Sequence, residues 1–75
     1  MKVGRQVERW QSREGKHVLR LFSRGENCFY FVELSEITEG EETFWTTSHT
    51  SDEYLSLEEA RRHALAHAPW MKDAV

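Results

Sequence analysis

The sequence predicts an α+β domain: a three- to four-stranded antiparallel β-meander followed by one C-terminal α-helix packed on one face. Three observations predict it. Short runs of branched and aromatic residues recur between brief glycine-containing turns. One segment with helical periodicity, a start signal and a stop signal follows the last of these runs. The chain has 75 residues, 39% hydrophobic and 31% charged, which suits one small domain. That balance is too apolar for a disordered chain and too polar for a membrane span.

Gln6 to Gln11 alternates weakly and is the least regular strand candidate. Ser12-Arg13-Glu14-Gly15 reads as a turn, with Gly15 able to supply positive φ. His17 to Ser23 is a second strand, and Arg24-Gly25-Glu26-Asn27 the turn after it. Cys28 to Leu34 is the strongest strand signal, with Phe29, Tyr30 and Phe31 in succession. Ser35 to Glu41 is polar and contains Gly40, so a longer hairpin loop is expected there. Glu42 to Thr47 is a fourth strand, and His49 to Tyr54 a polar connection. The strands thus fall near 6–11, 17–23, 28–34 and 42–47, in one domain over 1–75. Short connections between consecutive strands favour a meander.

The helix is expected over 57–68. Ser56 is a good N-cap, and Glu59 three residues later completes a capping box. Glu58 and Glu59 suit the positive end of the helix dipole. Leu57, Ala60, Ala64, Leu65 and Ala68 fall on one arc, with the Arg61 stem laid along it. Pro69 stops the helix because it has no amide proton to donate.

A sheet covered by one helix needs only one apolar face, yet these strands are apolar on both. Leu19 and Leu21 point one way, Val18 and Phe22 the other. Phe29 and Phe31 oppose Tyr30, Val32 and Leu34, and Phe44 opposes Trp45. Parity alone leaves open which set meets the helix. The second set needs cover from the tail with Trp70 and Met71, a second subunit or a partner.

Charge is segregated along the chain. Residues 1–25 carry seven Lys and Arg against two acids, residues 26–59 ten acids and no Lys or Arg, and residues 60–75 three cations against one acid. The plainest reading is that basic and acidic strands satisfy one another in the sheet. A basic first hairpin with Arg5 and Arg9 on one side of the first strand, and Arg20 on the second, offers nucleic-acid binding as an alternative. Tyr30 or Trp45 would then stack on unpaired bases. Against this stands the net charge of −3. Glu33, Glu36, Glu39, Glu41 and Glu42 offer a third reading, an acidic inhibitor or regulator of a basic partner.

Candidate chemistry is sparse. His63 and His67 are spaced i, i+4, as a zinc pair would be, but Ala64 stands where a zinc protease has glutamate. No paired-cysteine motif supplies further ligands, so an exposed helix flank is the expected place of both histidines, with no metal or cofactor. Ser48-His49 and Ser51-Asp52 contain the residue types of nucleophilic catalysis without the strained glycine turn. A polar loop is the simpler reading, and no enzymatic activity is expected. The lone Cys28 excludes an internal disulfide and reads as a small buried hydrophobe. Met1 to Gln11 has no apolar stretch of the signal-peptide kind, so a cytoplasmic location without membrane contact is expected.

The run Phe29-Tyr30-Phe31-Val32-Glu33, then Phe44-Trp45, then Tyr54 to Ala60, then Pro69-Trp70, resembles short uncharacterised bacterial proteins. These are domains of unknown function, built as a meander with a C-terminal helix. The resemblance implies a bacterial cytoplasmic protein and carries no functional residues with it.

The expected function is protein–protein interaction, self-association as a homodimer included, through an apolar sheet face. Phe22, Tyr30, Val32, Trp45 and Trp70 are the expected anchors, because aromatics carry most interface energy. Phe29, Phe31 and Phe44 take that role if the helix covers the opposite parity.

Overall fold

The computed structural model describes residues 4–74. Lys2, one of the N-terminal cations, lies outside them, as do the ends of the 1–75 domain span. The strands β1 (Arg5–Gln11), β2 (His17–Gly25), β3 (Cys28–Glu39) and β4 (Glu42–Thr50) form one sheet in sequence order. Every neighbouring pair is antiparallel. The helix α1 (Leu57–His67) and a 3₁₀ turn (Pro69–Asp73) follow. The protein is an α+β meander with one α-helix on one side of the sheet.

Local signals account for the ends of these elements. Ser56 is extended at φ −139°, and its hydroxyl accepts from the Glu59 amide at 3.1 Å. Ala68 caps the other end, and Pro69 opens the 3₁₀ turn, since a proline needs no amide partner at a helix start. Asn27 takes the left-handed conformation at φ 57° in the β2–β3 turn, as a short amide side chain tolerates.

The third hairpin differs from expectation. Residues 35–39 extend β3 instead of forming a loop, and Glu39 pairs with Glu42. Ile37 and Thr38 favour strand geometry, and they pair across to Phe44 and Thr43. Gly40, at φ 65°, allows a two-residue turn with Glu41. The connection after β4 also differs. Ser51 and Tyr54 still bond to β3, through Phe31 and Phe29.

The core lies between sheet and helix. Leu19, Leu21 and Phe31 are buried against Ala60, Ala64 and Ala68. Alanines on this arc let the helix axis come close to the strands. Trp10, Phe29, Tyr54, Leu57, Trp70 and Met71 pack around the cluster. The Phe29 and Phe31 parity therefore meets the helix, and the tail folds on that side too. Leu65 leaves the expected arc and is 37% exposed.

Candidate functional site

The side of the sheet away from the helix carries Phe22, Tyr30, Val32, Leu34 and Trp45. Strand alternation puts them there once Leu19, Leu21 and Phe31 face the helix. Phe22 and Tyr30 sit opposite each other and stack with centroids 5.1 Å apart. The Arg20 guanidinium lies 5.0 Å over Phe22, and that of Arg24 lies 4.6 Å over Tyr30. Arg20 also donates to Gln6 Oε1, and Arg24 pairs with Glu53 at 3.0 Å. A depression of about 340 Å³ is lined by Gln6, Arg9, Val18, Arg20, Leu34 and Trp45. Trp45, 44% exposed, is its most open apolar wall. The surface is thus aromatic and aliphatic, with guanidinium groups over two of its rings and Glu36 opposite Trp45.

Four of the five expected anchors share this face, and Trp70 does not. Trp70 packs against the helix-side core, where its Nε1 donates to Glu33 Oε2 at 3.2 Å. The reason is the turn at Pro69, which folds the tail back along the helix. Arg9 and Arg20 are directly paired on the uncovered face. Arg5 is not with them. A bulge between Gln6 and Glu8 inserts an extra residue, so Arg5 takes the opposite parity. Sequence alternation without the bulge would place Arg5 and Arg9 together.

The other side holds a polar constellation that no local motif announces. Glu33 receives His67 Nε2 at 3.1 Å, Ser48 Oγ at 3.1 Å and the Trp70 indole. The Glu33 side chain is only 14% exposed. Burial pushes its carboxyl pKa up, but the donors Trp70, His67 and Ser48 outweigh that and hold it below the ordinary value. Ser35 Oγ donates to Ser48 Oγ at 3.1 Å, and His17 Nδ1 lies 3.2 Å from Ser35 Oγ. Ser48 thus donates to Glu33, and Ser35 links Ser48 to His17. Ser48 reaches this cluster because a register shift sets it between His49, opposite Glu33, and Thr47, opposite Leu34.

The helical histidine pair does not converge. His63 stacks on Tyr54 at 4.5 Å, while His67 stacks on His49 at 4.0 Å. Among the described residues no three His, Cys, Asp or Glu side chains are gathered as a metal ion requires. Cys28 is not the buried hydrophobe expected. It is half-buried at the start of β3, where its thiol donates to Glu53 Oε2 at 3.0 Å. That hydrogen bond, with burial and the Glu53 charge, raises its pKa above the ordinary thiol value. Glu33 likewise leaves the expected acidic rim, and Glu36 is half-buried opposite Trp45, whereas Glu39, Glu41 and Glu42 stay exposed around the third turn. Among the described residues no helix is long and apolar enough to cross a membrane.

No family model matches the chain, and neither a curated protein nor a solved structure matches it.

Proposed function

We propose that the protein is a non-enzymatic interaction module that docks a protein surface, a second copy included, on the uncovered face of its sheet. The observation behind this reading is the apolar set Phe22, Tyr30, Val32, Leu34 and Trp45, on the side of the sheet that neither α1 nor the 3₁₀ turn approaches. Aromatic and Arg side chains together are the composition of interface cores.

The test for self-association is solution mass by light scattering across a concentration series in about 1 M salt, where screening removes surface charge contacts. A mass above the monomer is expected, returning to the monomer in Tyr30→Ser and falling in Trp45→Ser. A monomer at every concentration removes self-association from this proposal. Unchanged association in both variants removes the sheet face.

A second reading is nucleic-acid binding. Arg9 and Arg20 lie side by side on the face that carries Tyr30 and Trp45, as a single-strand platform needs. Several phosphate contacts would make affinity fall steeply with salt. Retention on single-stranded DNA or RNA at low salt, lost in Arg9→Ala with Arg20→Ala, is the outcome it requires. No retention at low salt ends it.

A further inference from the structure

The β3–β4 hairpin projects past the body of the sheet. Pairing of β2 with β3 stops at Ser35, whereas β3 runs on to Glu39. The Glu36 amide still bonds to the Lys16 carbonyl at 2.9 Å, so three further residues extend the arm by roughly 10 Å. Ile37 and Phe44 pair across this arm on the helix side of the sheet, and they are 40% and 41% exposed. Glu39, Glu41 and Glu42 surround the tip and take no ion pair among the described residues. The arm is therefore an apolar patch with an acidic end.

At the opposite edge lies its complement. Trp10, Leu65 and Met71 floor an open groove of about 450 Å³, rimmed by Arg61, Arg62 and Lys72. Arg61 is already held, donating from Nε to Glu8 Oε1 at 2.7 Å and from Nη2 to Glu8 Oε2. Arg62 and Lys72 take no ion pair among the described residues. The groove is thus an apolar floor with two cations to spare.

We infer that the acidic hairpin tip of one copy seats in the basic groove of a second copy, with Ile37 and Phe44 on the Trp10–Leu65–Met71 floor and Glu41 and Glu42 facing Arg62 and Lys72. The chain's own arm is the wrong occupant. The groove belongs to the β1 edge and the arm to the β4 edge, and three strand spacings of about 4.8 Å separate them. A twofold axis lets each arm enter the other copy's groove, so the contact closes as a dimer and leaves no free arm. Each contact is small, which places the dimer among weak, transient assemblies. The charges supply direction and specificity, and the exposed apolar side chains supply the area to bury.

This association is independent of the uncovered sheet face, and the experiment separates the two. Tyr30→Ser serves as background, so that any contact through the sheet face is stripped. Solution mass is read up to about 1 mM protein in about 10 mM salt, where charges act over about 30 Å. Dimer is expected in the background chain. Two variants are built on it, an arm reversal (Glu41→Lys with Glu42→Lys) and a groove reversal (Arg62→Glu with Lys72→Glu). Each alone is expected to dissociate at least about tenfold more readily, because like charges now meet. Mixed together, the two variants are expected to form a heterodimer, since both opposite-charge contacts are restored. All four positions are exposed, so circular dichroism is expected to match the parent. Should a reversal disturb it, Phe44→Ser replaces that variant and is expected to weaken the dimer. A monomeric background chain, reversals that leave the mass unchanged, or a mixture that stays monomeric overturns the inference. The sheet-face proposal survives each of those results, because its own assay is the high-salt mass of the unmodified chain.

Discussion

Glu33 shows how a single side chain can tie three elements together. It sits on a central strand, yet its acceptors take donors from β4, from the last turn of α1 and from Trp70 beyond the helix. Its pKa is depressed, so its charged form is favoured by folding. A depressed carboxylate adds stability that is present above its unfolded pKa of about 4.3 and is lost as pH falls through the lower folded value. Glu33→Gln keeps the shape and removes the charge. The melting temperature of the parent is expected to exceed that of Glu33→Gln at pH near 7. That gap is expected to shrink steadily below about pH 4.3. A gap that stays constant with pH would show that the carboxylate charge is not what the three donors hold.

The elements are shaped by local chemistry and then adjusted by single insertions. The helix depends on its start signal: Ser56→Ala removes the acceptor for the Glu59 amide. Loss of such a cap costs about 1 kcal/mol, which in a domain of this size lowers the melting temperature by about 4 to 8 °C. Calorimetry on Ser56→Ala against Ser56→Asp checks this, with Asp expected to retain most of the stability. Two register shifts decide which side chains share a face. The one in β1 separates Arg5 from Arg9, and the one in β4 turns Ser48 toward Glu33. Gly40 sets the length of the acidic arm, because a two-residue turn keeps Ile37 paired to Phe44. A longer loop would have ended both strands nearer the body.

At the scale of the whole molecule the core is thin. Among the described residues seven apolar ones are buried: Val18, Leu19, Leu21, Phe31, Ala60, Ala64 and Ala68, and three of them are alanines. Net stability for a chain of this length is roughly 4 to 11 kcal/mol. Phe31→Ala costs about 3 to 5 kcal/mol, so it is expected to remove a large share of the stability and shift the urea midpoint sharply downward. Trp45→Ser removes a larger side chain from an exposed position and is expected to leave that midpoint nearly unchanged. If Trp45→Ser unfolds the protein instead, Trp45 is part of the core and not an anchor for a partner. One face of the sheet is buried under the helix, while on the other Val18 is buried, Phe22, Tyr30, Val32 and Leu34 are half-buried and Trp45 is exposed, so association would let so small a domain bury more apolar surface.

Much of this architecture was legible in the residues. Strand runs, the Ser56 cap, the Pro69 stop and the two-sided apolar parity are all local patterns, readable within a few positions. So was the opposition of Leu19, Leu21 and Phe31 to Phe22, Tyr30 and Val32, because side-chain direction alternates along any strand. Tertiary structure decided which parity meets the helix, since both sets are apolar and only packing chooses between them. It also decided the position of Trp70, the split of Arg5 from Arg9 and the gathering of Glu33, Ser48, His67 and His17. Those outcomes depend on where the chain turns back and where an extra residue enters a ladder. Contacts between residues as far apart as Glu33 and His67 have no signature in spacing. The groove at the β1 edge and the arm at the β4 edge likewise exist only once the sheet order has put them on opposite sides.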